Sequence, residues 1–398
     1  MELPAGWSRN MPLGQTARGG GGKRRRKLGE IVAERIVGEI IRRGWNEGEV
    51  LGTEQDFMDF FRISRATFRE AVRQLEWSGA AGMRRGAHGG LVVKAPPREA
   101  IVHALKTYFE LSKIERHLLD ETAATLRAAP RMRSDGTRNQ AIDLFLEALD
   151  SRSLSDLVNE RLAGAGGIKL SETVAQQLVK EIEARDFEKG ANLGNEIDLQ
   201  RRFGVSRAVL REALRPLELH DIIRVKTGAH GGIIIHGFDP DYTITLATTY
   251  LAFARLPLSD IWETQNALKV VAVEGFVAQA DAATLRALER ALERLESASA
   301  PHYLLAANEF HLVIANNSGN RAAALFVGVM HRYGLTMLPR PDEAYLPMLK
   351  RQHRDLLEAA TRGDAASARA SMQAMYDHSR RWIARIERDL ERRAAQSG

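Results

Sequence analysis

One feature restricts what this chain can fold into more than any other: a stretch near its start occurs twice. LGEIVAERIVGEI, beginning at Leu28, returns as LSETVAQQLVKEI, beginning at Leu170. The register that pairs Leu28 with Leu170 then runs without a gap for 67 positions, of which 28 are identical. Agreement on that scale is far above chance for unrelated sequences, so the chain carries a duplicated domain. Two copies of about 70 residues each are too few and too long to stack as a solenoid. Each copy must therefore bury a core of its own.

Each copy reads as three helices followed by a hairpin. In the second, Val174, Leu178, Val179 and Ile182 recur at helical spacing, and Asn195, three residues before Asp198, has the chemistry of an N-cap. Thr53 and Asp56 hold those places in the first copy as the acidic form of a capping box. Ser206 caps a helix running to Leu219, and Ser64 caps its equivalent. Ile222, Ile223 and Val225 then alternate into a strand, GAHGG turns the chain, and Ile233, Ile234 and Ile235 return. Met83 and Leu91 to Val93 do the same in copy one. This pattern predicts a winged helix-turn-helix in each copy.

The rest of the chain divides around the two copies. TARGGGGKRRRK, from Thr16 to Lys27, joins a glycine run to five basic residues and cannot build a core, so residues 1–27 read as a flexible basic arm. The copies span 28–95 and 170–237. Between them, 96–169 opens on Pro96-Pro97 and reads as a helical spacer or a reduced version of the domain at the far end. From 240 to 395 no strand pattern appears, and stripes such as Leu285, Leu288, Leu292 and Leu295 predict an all-α bundle of six or seven helices. The expected fold is mainly α: two winged helices and a carboxy-terminal helical bundle.

Composition narrows the chemistry. The absence of cysteine removes disulfides, thiol nucleophiles and thiolate metal sites. No signal-like segment and no long uncharged apolar run is present, so the expected location is the cytoplasm, with no membrane partner. A formal charge of +6 is modest for this length, so the placement of basic residues decides whether a polyanion is the partner. No P-loop, G-x-G-x-x-G after a strand, H-E-x-x-H or G-x-S-x-G occurs, and the expected activity is not enzymatic.

The third helix of each copy carries the DNA-reading chemistry. A helix fits the major groove, and Arg207 with Arg211, or Arg65 with Arg69, stand one turn apart at its start. The rigid guanidinium fork suits guanine O6 and N7 or a phosphate. A solvated face in which Arg211 and Arg215 pair with Glu212 and Glu218 is the alternative, weakened by the repetition. His88 and Gly89, and His230 and Gly231, fall at the hairpin tips, where glycine permits close approach to a sugar-phosphate backbone.

With these residues in place, the chain resembles the GntR family of bacterial transcription regulators, in particular its FadR-like subfamily with an FCD domain. GANLGNEIDLQRRFGVSRAVLREALRPLELHDII and GEVLGTEQDFMDFFRISRATFREAVRQLEWSGA each look like the family's winged-helix pattern, and V-S-R-x-x-x-R-E-A-L is its specific part. The resemblance implies DNA contacts at Ser206, Arg207, Arg211, His230 and Gly231, and at Ser64, Arg65, Arg69, His88 and Gly89. Two departures stand out. An arginine usual in relatives is Ile197 in copy two and Gln55 in copy one, and Leu-Gly replaces Leu-Pro before it.

In the bundle, EFHLVIANNSGN and HRDLLEAATRGDAASARASMQAM are similar to two FCD elements. Relatives use an aspartate and three histidines there to hold a divalent metal. His311 and His353 match two of those histidines, but Ala307 stands for the aspartate and Met375 for the last histidine, with His378 one turn further on. The resemblance implies a degenerate site for zinc or nickel on His311, His353 and His378, or a metal-free pocket for a small effector, an organic acid, lined by Asn308, His311, His353 and His378. Taken together, the sequence predicts a sequence-specific DNA-binding regulator, a repressor, acting as a homodimer on double-stranded DNA under the control of a small metabolite. An architectural DNA-binding protein with an inert bundle is the competing expectation.

Overall fold

The computed structural model describes residues 28–86, 89–112, 114–129, 138–150, 170–185, 190–219, 222–226, 231–235, 240–338 and 341–397. The basic arm, His88 and His230 lie outside them. The chain divides into two compact units, one of Met1–Glu99, Glu115–Leu149 and Ile244–Gly398, the other of Ala100–Ile114 and Asp150–Thr243.

Copy one consists of α1 (Leu28–Arg42), β1 (Val50–Gly52), α2 (Glu54–Phe61), α3 (Arg65–Trp77), β2 (Ala81–Arg84) and β3 (Gly90–Val93). The helices follow from their caps and periods. Thr53 and Asp56 form the reciprocal capping box, and α2 stops where Arg62 turns left-handed at φ 53°. Val32, Ile36 and Ile40 of α1 meet Phe57, Phe68 and Leu75 in a buried core, with the rings of Phe57 and Phe68 stacked at 5.3 Å. The strands pair antiparallel in the order β1-β3-β2. Gly90 is required there: at φ +151° a Cβ would lie 2.5 Å from the Gly52 carbonyl oxygen on the neighbouring strand.

Three helices follow: α4 (Arg98–Leu111), α5 (Arg116–Ala128) and α6 (Gln140–Leu149). Copy two then gives α7 (Leu170–Ala184), α8 (Glu196–Phe203), α9 (Arg207–Leu219), β4 (Ile223–Lys226) and β5 (Gly232–Ile235). Each of these elements begins and ends in register with its counterpart, as Leu170 does with Leu28, and even β1 has an echo in the isolated bridge Asn192–Ile234. The core of copy two is aliphatic where that of copy one is aromatic, with Val174, Leu178, Leu199, Leu210, Leu217 and Ile233 all buried.

From Pro240 the described residues form seven α-helices: α10 (Pro240–Phe253), α11 (Leu258–Gln279), α12 (Ala282–Ser297), α13 (Ala300–Asn316), α14 (Arg321–Met337), α15 (Leu346–Thr361) and α16 (Ala365–Ser397). Helix α11 is central and packs on α13, α14, α15 and α16. The region between the copies is not one body. Helices α5 and α6 pack on α11, with Phe145 stacked on Phe326 at 4.0 Å. Asn139, fully buried, donates to the Asp260 carbonyl at 3.1 Å and accepts from Thr264 at 3.2 Å.

The duplication therefore runs further than the wing. In the same register, Arg98–Leu111 stands to Pro240–Phe253, and Arg116 to Leu258. Glu121-Thr122 returns as Glu263-Thr264. Within 96–169, α5 and α6 are the described helices that pack on α11.

Candidate nucleic-acid interface and ligand cavity

In both copies a serine seals the start of the third helix. Ser64 Oγ accepts from the Thr67 amide at 3.2 Å, and Ser206 Oγ from the Val209 amide at 3.3 Å. The caps fix the first turn, which carries the arginines, and all four side chains are strongly exposed: Arg65 63%, Arg69 67%, Arg207 64% and Arg211 61%. Their partner differs from the one expected. Glu196, from the helix before, takes Arg207 at 3.1 Å and Arg211 at 2.8 Å, and Glu54 takes Arg65 at 3.2 Å and Arg69 at 3.8 Å. The Arg211 guanidinium, with Arg207 beside it, holds the Glu196 carboxyl below the usual carboxylate range. Exposed ion pairs of this kind add little stability but restrict where the forks point.

The surroundings are less alike. Arg202 of copy two is drawn back to Glu181 at 2.7 Å and lies over the Phe203 ring, whereas Arg201 stays 78% exposed. Ile197, in the place where relatives carry arginine, is 59% exposed. Gly89 sits in the wing turn, where a Cβ would come 2.3 Å from the Arg84 carbonyl oxygen, so no other residue fits. Gly231 is half-buried at the start of the return to β5.

Within the bundle, α11, α13, α14, α15 and α16 line a cavity of about 110 Å³ whose wall includes Lys269, Asn308, His311, His353 and His378. The structure thus brings the four expected side chains to one cavity. His311 and His353 are buried, their rings 5.0 Å apart, and His331, on α14, lies 5.9 Å from His311. His353 gives its Nδ1 proton to the Leu349 carbonyl at 2.8 Å and leaves Nε2 without a partner. His311 Nδ1 and both nitrogens of His331 are also unpartnered among the described residues. Asn308 is tied to the His331 carbonyl at 3.3 Å. His378 stands apart, with Nδ1 against Ala374 and Gln352.

Burial holds His311 and His331 well below the ordinary imidazole range, with the Lys269 charge adding to it, and pushes His353 down to about 4. The Lys269 ammonium is itself pushed down to about 7 by burial. Among the described residues no Asp or Glu lines the cavity, and no three His, Asp or Glu side chains are placed to hold a metal ion.

Sequence reasoning missed Glu54, Glu196, Lys269 and His331. The two glutamates were visible as the invariant letter of G-x-x-L-G-x-E in both copies. Lys269 interrupts the apolar run ALKVVAV, and His331 follows ALFVGVM, and a polar residue inside such a run is the signal that marks them.

Comparison with known proteins bears on copy two and on the bundle. Residues 170–230 match the model of bacterial regulatory proteins, gntR family, and residues 260–378 match that of the FCD domain. The HTH-type transcriptional repressor NanR of Escherichia coli O127:H6 (strain E2348/69 / EPEC) is 28% identical over 141 residues, 33% of this chain and 51% of that protein. Its counterpart from Escherichia coli (strain K12 / DH10B) is 30% identical over 139 residues. The chain spans about half the length of the curated relatives it matches. Among solved structures, Streptococcus agalactiae GntR is 25% identical with a TM-score of 0.44, covering 53% of this chain and 99% of that one. No helix among the described residues is long and apolar enough to cross a membrane.

Proposed function

We propose, for a chain that belongs to the GntR family of bacterial regulatory proteins and carries an FCD domain, that it is a DNA-binding transcription regulator whose hold on its operator is set by a small metabolite in the bundle. The observation that carries this reading is the arrangement repeated in both copies: two exposed arginines one turn apart on a serine-capped helix, braced by one glutamate. A helix so armed enters the major groove with one fork for a guanine edge and one for a phosphate, while the glycine wing lies along the backbone. Arg65, Arg69, Arg207 and Arg211 are the contacts, with Ser64, Ser206, Gly89 and Gly231 shaping the approach.

The curated relatives are repressors by name, and repression is the direction proposed here. Two-fold operators are read by two-fold assemblies, so the working form is a homodimer presenting four winged helices. The effector site is the cavity around Asn308, His311 and His353, with His378 at its wall. A ligand there shifts operator affinity only by binding the DNA-competent and DNA-released arrangements unequally. Buried imidazoles facing a cavity argue against an inert, purely architectural bundle.

The donor set does not fit zinc or nickel. Such an ion takes at least three protein ligands, and among the described residues no three His, Asp or Glu side chains are placed to hold one, while the Lys269 charge acts on the His311 imidazole.

Selection of genomic fragments on purified full-length protein, repeated at rising salt, tests the function. Enrichment of a defined two-fold site, with log affinity falling linearly in log salt, is expected. Binding without sequence preference at physiological salt would replace it with the architectural reading.

A further inference from the structure

Helices α5 and α6 share letters with the two helices they meet, α11 and α14. Glu121-Thr122 of α5 stands to Glu263-Thr264 of α11, and Asn139, Ala141, Leu144 and Phe145 return at the same spacing as Asn320, Ala322, Leu325 and Phe326. Asn139 caps α6 by accepting from the Ile142 amide at 3.1 Å, as Asn320 caps α14 by accepting from the Ala323 amide at 3.0 Å. We propose that α5 with α6 is a shortened copy of α11 with α14, and that the two copies meet as the halves of a two-fold dimer inside one chain. One winged helix precedes each half in the sequence, so a single chain supplies a two-fold core with a DNA-reading domain joined to each side. A homodimer of this chain then has to associate through another face.

The contacts carry the proposal because they are reciprocal. In a two-fold interface residue i of one half meets residue j of the other, and j of the first meets i of the second. Here the Asn320 side-chain amide donates to the Leu118 carbonyl at 3.3 Å and to Glu121 at 2.8 Å, while its oxygen accepts from the Thr122 hydroxyl at 3.2 Å. From the other half the Asn139 side-chain amide donates to the Asp260 carbonyl at 3.1 Å and to Glu263 at 3.4 Å, while its oxygen accepts from the Thr264 hydroxyl at 3.2 Å. Leu118 stands one turn before Thr122 as Asp260 does before Thr264, so the two bond sets match partner by partner. Phe145 stacks on its own counterpart, Phe326, at 4.0 Å, and a residue meets its equivalent only beside the two-fold axis. Both asparagines, both threonines and both rings are buried. A second chain could seat its own α11 and α14 on this face only by expelling α5 and α6, which would strip buried amides of their partners. The internal copy is also tethered, which holds it at an effective concentration far above that of a free chain.

The chain has no cysteine, so introduced thiols report alone. Dilute full-length protein carrying both Phe145→Cys and Phe326→Cys, treated with a short bis-maleimide, should link the two positions and keep the mass of one chain on a denaturing gel. Phe326→Cys by itself should give no link, because no second Phe326 lies across the contact. Doubled mass from Phe326→Cys alone would place a second chain on the face, and doubled mass from the pair would mean that the halves are exchanged between chains. Either result, or a folded pair that does not link, would overturn the proposal. Glu121→Cys with Arg321→Cys, at exposed positions beside the Glu121 to Asn320 bond, repeats the measurement without touching the core, so misfolding of the phenylalanine variants leaves the decision intact. Operator selection is measured separately, so the DNA-regulator reading fails or survives on its own.

Discussion

At the residue scale the two copies share one device and differ in its surroundings. The Glu196 and Glu54 braces are alike, but Arg201 adds an exposed cation next to the copy-two helix where copy one has Asp59, itself bonded to Gln55. In the sequence both members of the Arg201-Arg202 pair count toward phosphate attraction. In the fold Arg202 is drawn to Glu181 at 2.7 Å, while Arg201 lies 3.7 Å from Asp198 and is the more exposed of the two, so Arg201 carries most of the difference. Arg207→Ala should cost operator affinity about 1–3 kcal/mol, the worth of a bidentate base contact, and more than Arg65→Ala. Paired titrations on one operator would show it, and equal losses would remove the asymmetry.

At the scale of elements, α13, α14 and α15 each contribute one buried histidine, all facing the charge on Lys269. Their folded pKa values are depressed relative to about 6.5 in the unfolded chain. Below that pH the unfolded state takes up protons that the folded bundle refuses, so stability falls as pH drops from about 6.5 toward 4. It is flat with respect to these groups above about pH 7. His353 alone, held near 4, amounts to a loss on the order of 3 kcal/mol at the low end. Denaturant melts between about pH 7.5 and 4.5 should show the decline, and a His331→Phe variant a shallower one. Identical slopes would mean that His331 carries no share of it.

At the scale of the molecule, copy one belongs to the same compact unit as the bundle. Trp45 is the joint. It is 5% exposed, its indole donates to the Lys94 carbonyl at 2.7 Å, and its ring meets Phe253 of α10 edge-on at 5.8 Å. Arg98 adds a second tie, with Glu147 at 2.8 Å and the Tyr250 hydroxyl at 3.3 Å. Trp45→Ala should remove about 3–5 kcal/mol of local stability. Amide hydrogen exchange should then quicken across copy one while α11 keeps its protection. Equal loss of protection in both would mean that the unit opens as one body, and that the contact is not a separable joint.

Whatever is settled within a few residues could be read from the letters alone. The caps at Thr53, Ser64, Asn195 and Ser206, the helical stripes and the glycine wings are local bargains between a side chain and the adjacent backbone, and repetition made them legible twice. Packing decided what depends on partners distant in the chain. Glu196 reaches across 11 and 15 residues to its arginines, Phe145 finds Phe326, and the Lys269 charge acts on histidines from three other helices. None of these meetings leaves a period in the sequence, because the angle at which two helices pack sets them. The same cause hid the full extent of the duplication. Past the wing the identities thin out, and the common register is kept by the positions at which the helices begin and by Glu121-Thr122 and Glu263-Thr264.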